Sequence, residues 1–137
     1  MAVSIPNTHH DLIDKPVAIA LVTLMPDGQP QATPVWFDYD GEYIRVNTAR
    51  GRQKDKNMTV GALVTLLAIA PDNMYHWMEI RGRVAVETEE GALEHINSLS
   101  AKYRGVTDYY SRNESMRGKE TRVTYKIELL KVNASHA

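Results

Sequence analysis

Residues 29–40 read QPQATPVWFDYD, and how this stretch is folded decides the architecture. It alternates: Ala32, Pro34, Trp36 and Asp38 share one face, and Thr33, Val35, Phe37 and Tyr39 share the other. A period of two is the signature of a strand with one buried face. Pro34 has no amide hydrogen to give to a ladder, so it predicts a sheet edge or a bulge. Turn signals bracket the stretch, Asp27-Gly28 before it and Asp40-Gly41 after it. Each predicts a hairpin. DKPVAIALVTL (14–24) upstream is a β-branched apolar run, and Tyr43–Thr48 downstream is a further strand. The expectation is three strands in meander order.

Beyond these strands the pattern continues in β fashion. GALVTLLAIAPDN (61–73) is a buried apolar run whose periodicity suits strand or helix, ended by a turn at Pro71-Asp72-Asn73. MYHWMEIRGRVAVE (74–87) predicts a long strand, and the chain turns helical after Thr88, with Leu93, Ile96 and Leu99 at helical spacing. Residues 104–120 are polar and mixed, predicting a loop or short helical turns. In the last strand Val123, Tyr125, Ile127 and Leu129 alternate with polar partners. Parallel βαβ alternation is absent. Hairpin-connected strands in this number close most easily into a small antiparallel barrel, mainly β with minor α, which removes exposed edges.

Composition narrows the function. A chain of 137 residues is expected to be a single domain over 1–137, large enough to bury a core without staples. It has no cysteine, which excludes disulfides, thiolate metal sites and a thiol nucleophile. Sixteen Lys and Arg balance seventeen Asp and Glu. No global field for nucleic acid results, so a nucleic-acid module is not expected. Neither a spanning apolar run nor a signal-peptide pattern is found, which predicts a soluble cytoplasmic protein away from membranes.

Any anion site must therefore be local, and NTARGRQKDKNM (47–58) offers one. Arg50, Arg52, Lys54 and Lys56 fall within seven positions, opposed only by Asp55. A short helix beginning near Gly51 or Arg52 would set amide N–H groups and cations together, a natural phosphate site. It would put Arg52 and Lys56 on one face and turn Lys54 away. The plain alternative is a solvated surface helix.

Trp36 and Trp77 could line a planar ligand, with Tyr75 or His76 donating to a ring carbonyl or nitrogen; the competing reading is core or interface filler. His9, His10 and Asp11 are expected to be solvated, and His95 to sit on a surface helix without a role. No P-loop, dinucleotide fingerprint, HExxH or Gly-x-Ser-x-Gly element is found. If the protein is an enzyme, a cofactor carries the chemistry.

Three segments together resemble a known family: the DG-x-P-x-x-x-P-V-W-F strand pair, the T-x-x-G-R-x-K-x-x-N connection and the E-I-R-G-R-V strand. From about residue 10 to 132 the chain is similar to the pyridoxamine 5′-phosphate oxidase-like split-barrel superfamily, in particular its branch using the deazaflavin coenzyme F-420. The resemblance implies a Greek-key split barrel and a homodimer holding flavin or deazaflavin between subunits. It implies that Arg52, Lys54, Lys56 and Asn57 receive the cofactor's phosphate or acidic tail, with Thr48 and Arg50 at the preceding strand end. Thr33, Pro34, Val35 and Trp36 match the strand along the ring. Tyr75, His76 and Trp77 match a strand that completes the pocket from the partner; no single essential acid or base is expected, and Tyr75 and His76 are the candidates if one exists. The chain lacks the Arg- and His-rich C-terminal segment of the true oxidases, so vitamin B6 oxidation is not implied. The implied activity is hydride transfer from reduced F-420 to a small organic acceptor. FMN is the alternative cofactor, and a non-catalytic binder of a planar ligand is the alternative class.

Overall fold

A computed structural model describes residues 3–136. After a 3-10 turn (Asn7–His9) and a one-turn helix α1 (Asp11–Asp14), four strands follow: β1 (Ile19–Leu24), β2 (Pro30–Val35), β3 (Phe37–Tyr39) and β4 (Tyr43–Ala49). A short helix α2 (Gln53–Asn57) leads to β5 (Leu63–Ala70) and the long β6 (Asn73–Thr88). Helix α3 (Ala92–Arg104), two 3-10 turns and β7 (Arg122–Ala134) complete the chain. Every strand pair is antiparallel.

The strand order is β2-β1-β5-β6-β7-β4-β3. Strands β2 and β3 are separated only by Trp36, yet they lie at opposite ends of that order. The sheet must therefore curl until its two edges meet at Trp36. This corrects the expected meander: QPQATPVWFDYD is two strands of two separate hairpins, β1–β2 and β3–β4. Strand β4 pairs with β7 instead of β5, which gives β4 to β7 a Greek-key order.

The bend has an identifiable cause. At Phe37 the backbone N–H donates to the Tyr103 hydroxyl at 3.2 Å, and that hydroxyl donates to the Val17 carbonyl at 2.6 Å. Lys102 Nζ donates to the Phe37 carbonyl at 2.8 Å and the Ile13 carbonyl at 2.5 Å. Two side chains of α3 thus satisfy backbone groups that a continuous ladder would otherwise hold.

Inside the curl, Leu21, Phe37, Ile44, Leu66, Ile80, Tyr125 and Ile127 form one buried core, sealed by Met58 after α2 and Leu12 of α1. The ambiguous run 61–73 is a strand, with Val64, Leu66 and Ala68 inward. Where β6 passes β7 at Gly82, a Cβ would strike Ile127 and sit 2.7 Å from the Glu128 carbonyl oxygen. Only glycine fits there.

Helix α3 buries Ala92, His95, Ile96, Leu99 and Ser100, a single face at helical spacing. Leu93, expected on that face, is 50% exposed. His95 was expected at the surface and is buried instead. Its Nε2 lies 3.2 Å from Asp38 Oδ2 and its Nδ1 lies 2.9 Å from Thr124 Oγ1. Burial works to raise the Asp38 carboxyl, but hydrogen bonds from His95 and Arg45 outweigh it and hold it below the usual range. His9, expected in solvent, is 2% exposed and lies 3.2 Å from Ser135 Oγ.

Candidate functional site

Three adjoining cavities, which share lining residues along β2, the start of α2 and the inner face of α3, together make a groove around the strand β2. An apolar shelf of about 350 Å³ runs over β1, β2 and β5, with Ala20, Ala32, Pro34, Leu67 and Ile69. A recess of about 150 Å³ adjoins it through Thr33 and is lined by Gln31, Thr33, Arg52, Gln53 and Lys54. A cleft of about 290 Å³ continues from Pro34 past Val35 and Trp36 to Asn47, Tyr109 and Arg122, with Ile96 and Leu99 beside them.

Local structure decides which basic residues reach this groove. Gly51 takes a positive φ of 93°, turning the chain out of β4 into α2. Asp55 then anchors the turn: its Oδ2 accepts the Gly51 N–H at 2.9 Å, and its Oδ1 accepts Arg50 and the Tyr125 hydroxyl. Burial alone would raise the Asp55 carboxyl; the Tyr125, Gly51 and Arg50 donors overcome that and lower it.

Arg50 is held outside the groove by Asp55, Glu87 and Glu89 at 3.1, 3.4 and 3.0 Å. Lys56 points to solvent. Arg52 lines both recess and cleft and donates to Glu120 at 3.2 Å. Lys54 lines the same two spaces, its Nζ 3.5 Å from Thr33 Oγ1. The helix therefore directs Lys54, not Lys56, to the side of Arg52, because Arg52 caps the helix instead of lying within its first turn.

Lys54 has no carboxylate within ion-pairing distance among the described residues. Burial lowers its ammonium below the usual lysine range, and repulsion from Arg52 and Arg122 lowers it further. Such a site has positive charge in excess of its own counter-charge.

Asn57 braces the helix instead of facing the groove, donating to Thr23 Oγ1 at 3.0 Å and to Gln31 Oε1 at 3.4 Å. Thr48 is buried on the inner side of β4, and its hydroxyl has no hydrogen-bond partner. The alternation of β4 sends its neighbour Asn47 toward the groove. Asn47 Oδ1 accepts Arg122 Nε at 2.9 Å, and its Nδ2 donates to the Ala92 carbonyl at 2.8 Å. Thr33, Pro34, Val35 and Trp36 all line the groove.

Asn47, Tyr109 and Arg122, which line the groove, and Glu120, which pairs with Arg52 and Arg122, carry no signal in the sequence pattern that singles them out. Arg122 opens the last strand, where polar residues read as the solvent face; its side chain is only 6% exposed. The Tyr109 ring lies between the Arg104 and Arg122 guanidinium groups, at 5.2 and 5.1 Å, with Trp36 edge-on at 6.1 Å.

Tyr75, His76 and Trp77 are not brought to this groove within one chain. Tyr75 is 76% exposed near the β5–β6 turn. His76 Nε2 sits 2.9 Å from Asp11 Oδ1 and its ring packs against His9 at 4.4 Å. Trp77 lies beside Ser135, which accepts its backbone N–H at 3.0 Å. Among the described residues, no group of three or more His, Asp or Glu is placed to hold a metal ion, and no helix is long and apolar enough to cross a membrane.

Comparison with known proteins agrees with this architecture. An F-420 reductase superposes with a TM-score of 0.81 at 28% identity, over 94% of this chain and 98% of that one. A conserved hypothetical protein from Mycobacterium tuberculosis gives a TM-score of 0.70 at 22% identity, over 98% and 86% of the two chains. HupZ from Group A Streptococcus gives 0.64 at 16% identity, over 98% and 99%. At the last two identities the likeness is one of fold. No curated protein matches the sequence. A family model described as pyridoxamine 5′-phosphate oxidase matches residues 5–136. That span takes in both edge hairpins, the bend at Trp36, the helix that presents Lys54 and the strand that presents Arg122, and the chain belongs to the pyridoxamine 5′-phosphate oxidase family.

Proposed function

We propose that the protein is an F-420-dependent reductase that passes hydride from the reduced deazaflavin to a small organic acceptor. The observation that carries this reading is Lys54: a half-buried cation without a carboxylate partner among the described residues, beside Arg52 and Thr33, in a recess that shares Thr33 with an apolar shelf. An apolar shelf ending in cations suits a planar ring joined to a phosphate. The fold is one shared with flavin- and deazaflavin-type oxidoreductases, and the F-420 reductase among its relatives covers nearly all of the chain.

The donor set fits such a group. Thr33, Arg52 and Lys54 would hold the phosphate, and Ala20, Pro34 and Leu67 would take the ring. The bound cofactor supplies the hydride; the chain binds, orients and shields. Arg122 adds a third cation to the groove, against one adjacent carboxylate, Glu120. That surplus favours F-420, whose tail brings carboxylates beyond its phosphate. The small recess, with room for little more than one phosphate, favours FMN as the second reading.

The working unit is proposed to be a homodimer, because the shelf is open on its outer side. A second copy would close it and could bring Tyr75 and His76 to the acceptor.

Fluorescence titration with F-420 and with FMN tests the reading. Lys54→Ala is expected to weaken the preferred cofactor by about tenfold to a hundredfold, the scale of a charge-assisted contact to phosphate. Lys56→Ala is expected to leave it unchanged. Equal losses in both variants would reduce the effect to general surface charge.

A further inference from the structure

The cations of the groove differ in what they face. Lys54 meets only a hydroxyl, whereas Arg52 and Arg122 converge on one carboxylate. Glu120 Oε2 accepts Arg52 Nη2 at 3.2 Å, and Oε1 accepts Arg122 Nη1 at 3.3 Å. The Tyr110 hydroxyl donates to the same Oε1 at 2.9 Å. Burial works to raise the Glu120 carboxyl, and its Tyr110, Arg122 and Arg52 partners lower it overall. It is therefore an anion throughout the neutral range.

Glu120 itself lines a neighbouring cavity with Leu93 and Tyr110, and it reaches the groove only through Arg52 and Arg122, which line the cleft; a carboxylate bridging these two guanidinium groups has the geometry that an incoming carboxylate or phosphate would need. The partners are unequally fixed. Arg122 is buried and also bonded to Asn47, so it stays in place if Glu120 leaves. Arg52 is 49% exposed and can turn to a new anion. Glu120 follows the two 3-10 turns of residues 109–116, and one of them carries Tyr109 on the groove wall.

We propose that Glu120 is a built-in competitor, filling an anion subsite formed by Arg52 and Arg122 from which a ligand's phosphate or carboxylate displaces it. Displacement releases the Tyr110 hydroxyl and shifts the adjacent Tyr109 against Trp36. Binding at the far end of the groove is thereby coupled to the segment that walls it. The subsite deepens the cofactor reading and rests on it only for the identity of the natural ligand, since any small oxyanion competes with Glu120.

The test is a titration of wild type, Glu120→Gln and the exposed control Glu114→Gln with inorganic phosphate, glutarate, FMN and riboflavin, followed by indole emission and calorimetry. Glu120→Gln is expected to bind phosphate and FMN about tenfold more tightly, from removal of one like charge beside the incoming anion. Riboflavin, without a phosphate, should bind both proteins equally. A gain for phosphate alone assigns the subsite to phosphate, and a gain for glutarate extends it to carboxylates. Tyr110→Phe, which removes one bond to Glu120, should give a smaller gain in the same direction and serves if the Gln variant does not fold. Unchanged or weaker anion binding in both variants makes Glu120 a structural brace and overturns the proposal. Tighter phosphate binding without affinity for F-420 or FMN keeps the subsite and removes the cofactor reading; tight FMN binding with phosphate and glutarate binding unchanged in both variants does the reverse.

Discussion

Lys54 shows how position sets the chemistry of a single side chain. An ordinary lysine stays charged to about pH 10.4, but burial and then the neighbouring Arg52 and Arg122 move this one down. A bound anion would restore its proton, so binding and protonation are linked. Above about pH 8 a phosphate monoester is fully ionised, its second pKa being about 6, so loss of affinity there reports the protein. Phosphate affinity is expected to fall as pH rises through the lowered Lys54 value, before free lysine would titrate. Lys54→Arg, charged throughout, should carry binding further into alkali. Calorimetric titrations with a phosphate monoester between about pH 8 and 10.5 check this; coincident profiles would place the titrating group elsewhere. The basic cluster was legible as four cations in a short stretch, but not which of them reach the groove. That depends on Asp55 together with Glu87 at the end of β6 and Glu89 just beyond it capturing Arg50, and the two glutamates are far from Arg50 in the chain. Asn47 and Thr48 likewise differ by one step of strand alternation, which no composition reveals.

At the scale of elements, the local signals held and the long-range one did not. Asp27-Gly28 and Asp40-Gly41 mark real hairpins because a turn is decided by the residues within it. The break at Trp36 is held by Tyr103 and Lys102, more than sixty residues away, so alternation through 29–40 gave no warning of it. Removing that support should be costly. Burial pushes the Tyr103 hydroxyl up to about 12, so it remains a donor at any ordinary pH. Tyr103→Phe would leave the Phe37 N–H and the Val17 carbonyl without this partner. A loss of about 1–3 kcal/mol is expected, the usual cost of orphaning buried polar groups. Urea unfolding checks it, and a loss below about 0.5 kcal/mol would mean that water or a neighbour takes over the role. Because the bend also carries Trp36 into the cleft, the same variant is expected to weaken cofactor binding while Lys56→Ala does not.

For the whole molecule, the two outer faces of the sheet differ in kind. On β6 and β7 the outward residues are charged and partly paired, as in Arg83–Glu128 at 3.1 Å. Across β2, β1 and β5 they are apolar apart from Thr65: Ala20 stands opposite both Pro34 and Leu67, Val22 opposite Ala32 and Thr65, and Ile69, 43% exposed, opposite Trp77. An apolar strip spanning three strands and bordering a ligand groove is the kind of surface that association covers. One chain offers half of an enclosure, since the shelf has a floor and no roof. A second copy seated on the strip would supply the roof and exclude water from the groove. Ile69→Glu places a charge in that contact without touching the core. The wild type is expected to sediment as a dimer, at about twice the mass of one chain, and the variant as a monomer with unchanged far-ultraviolet dichroism. Its F-420 affinity should fall with dimerisation, although Lys54, Arg52 and Thr33 are intact. A wild type that stays monomeric at micromolar concentration, yet binds cofactor tightly, would show that one chain's groove is enough.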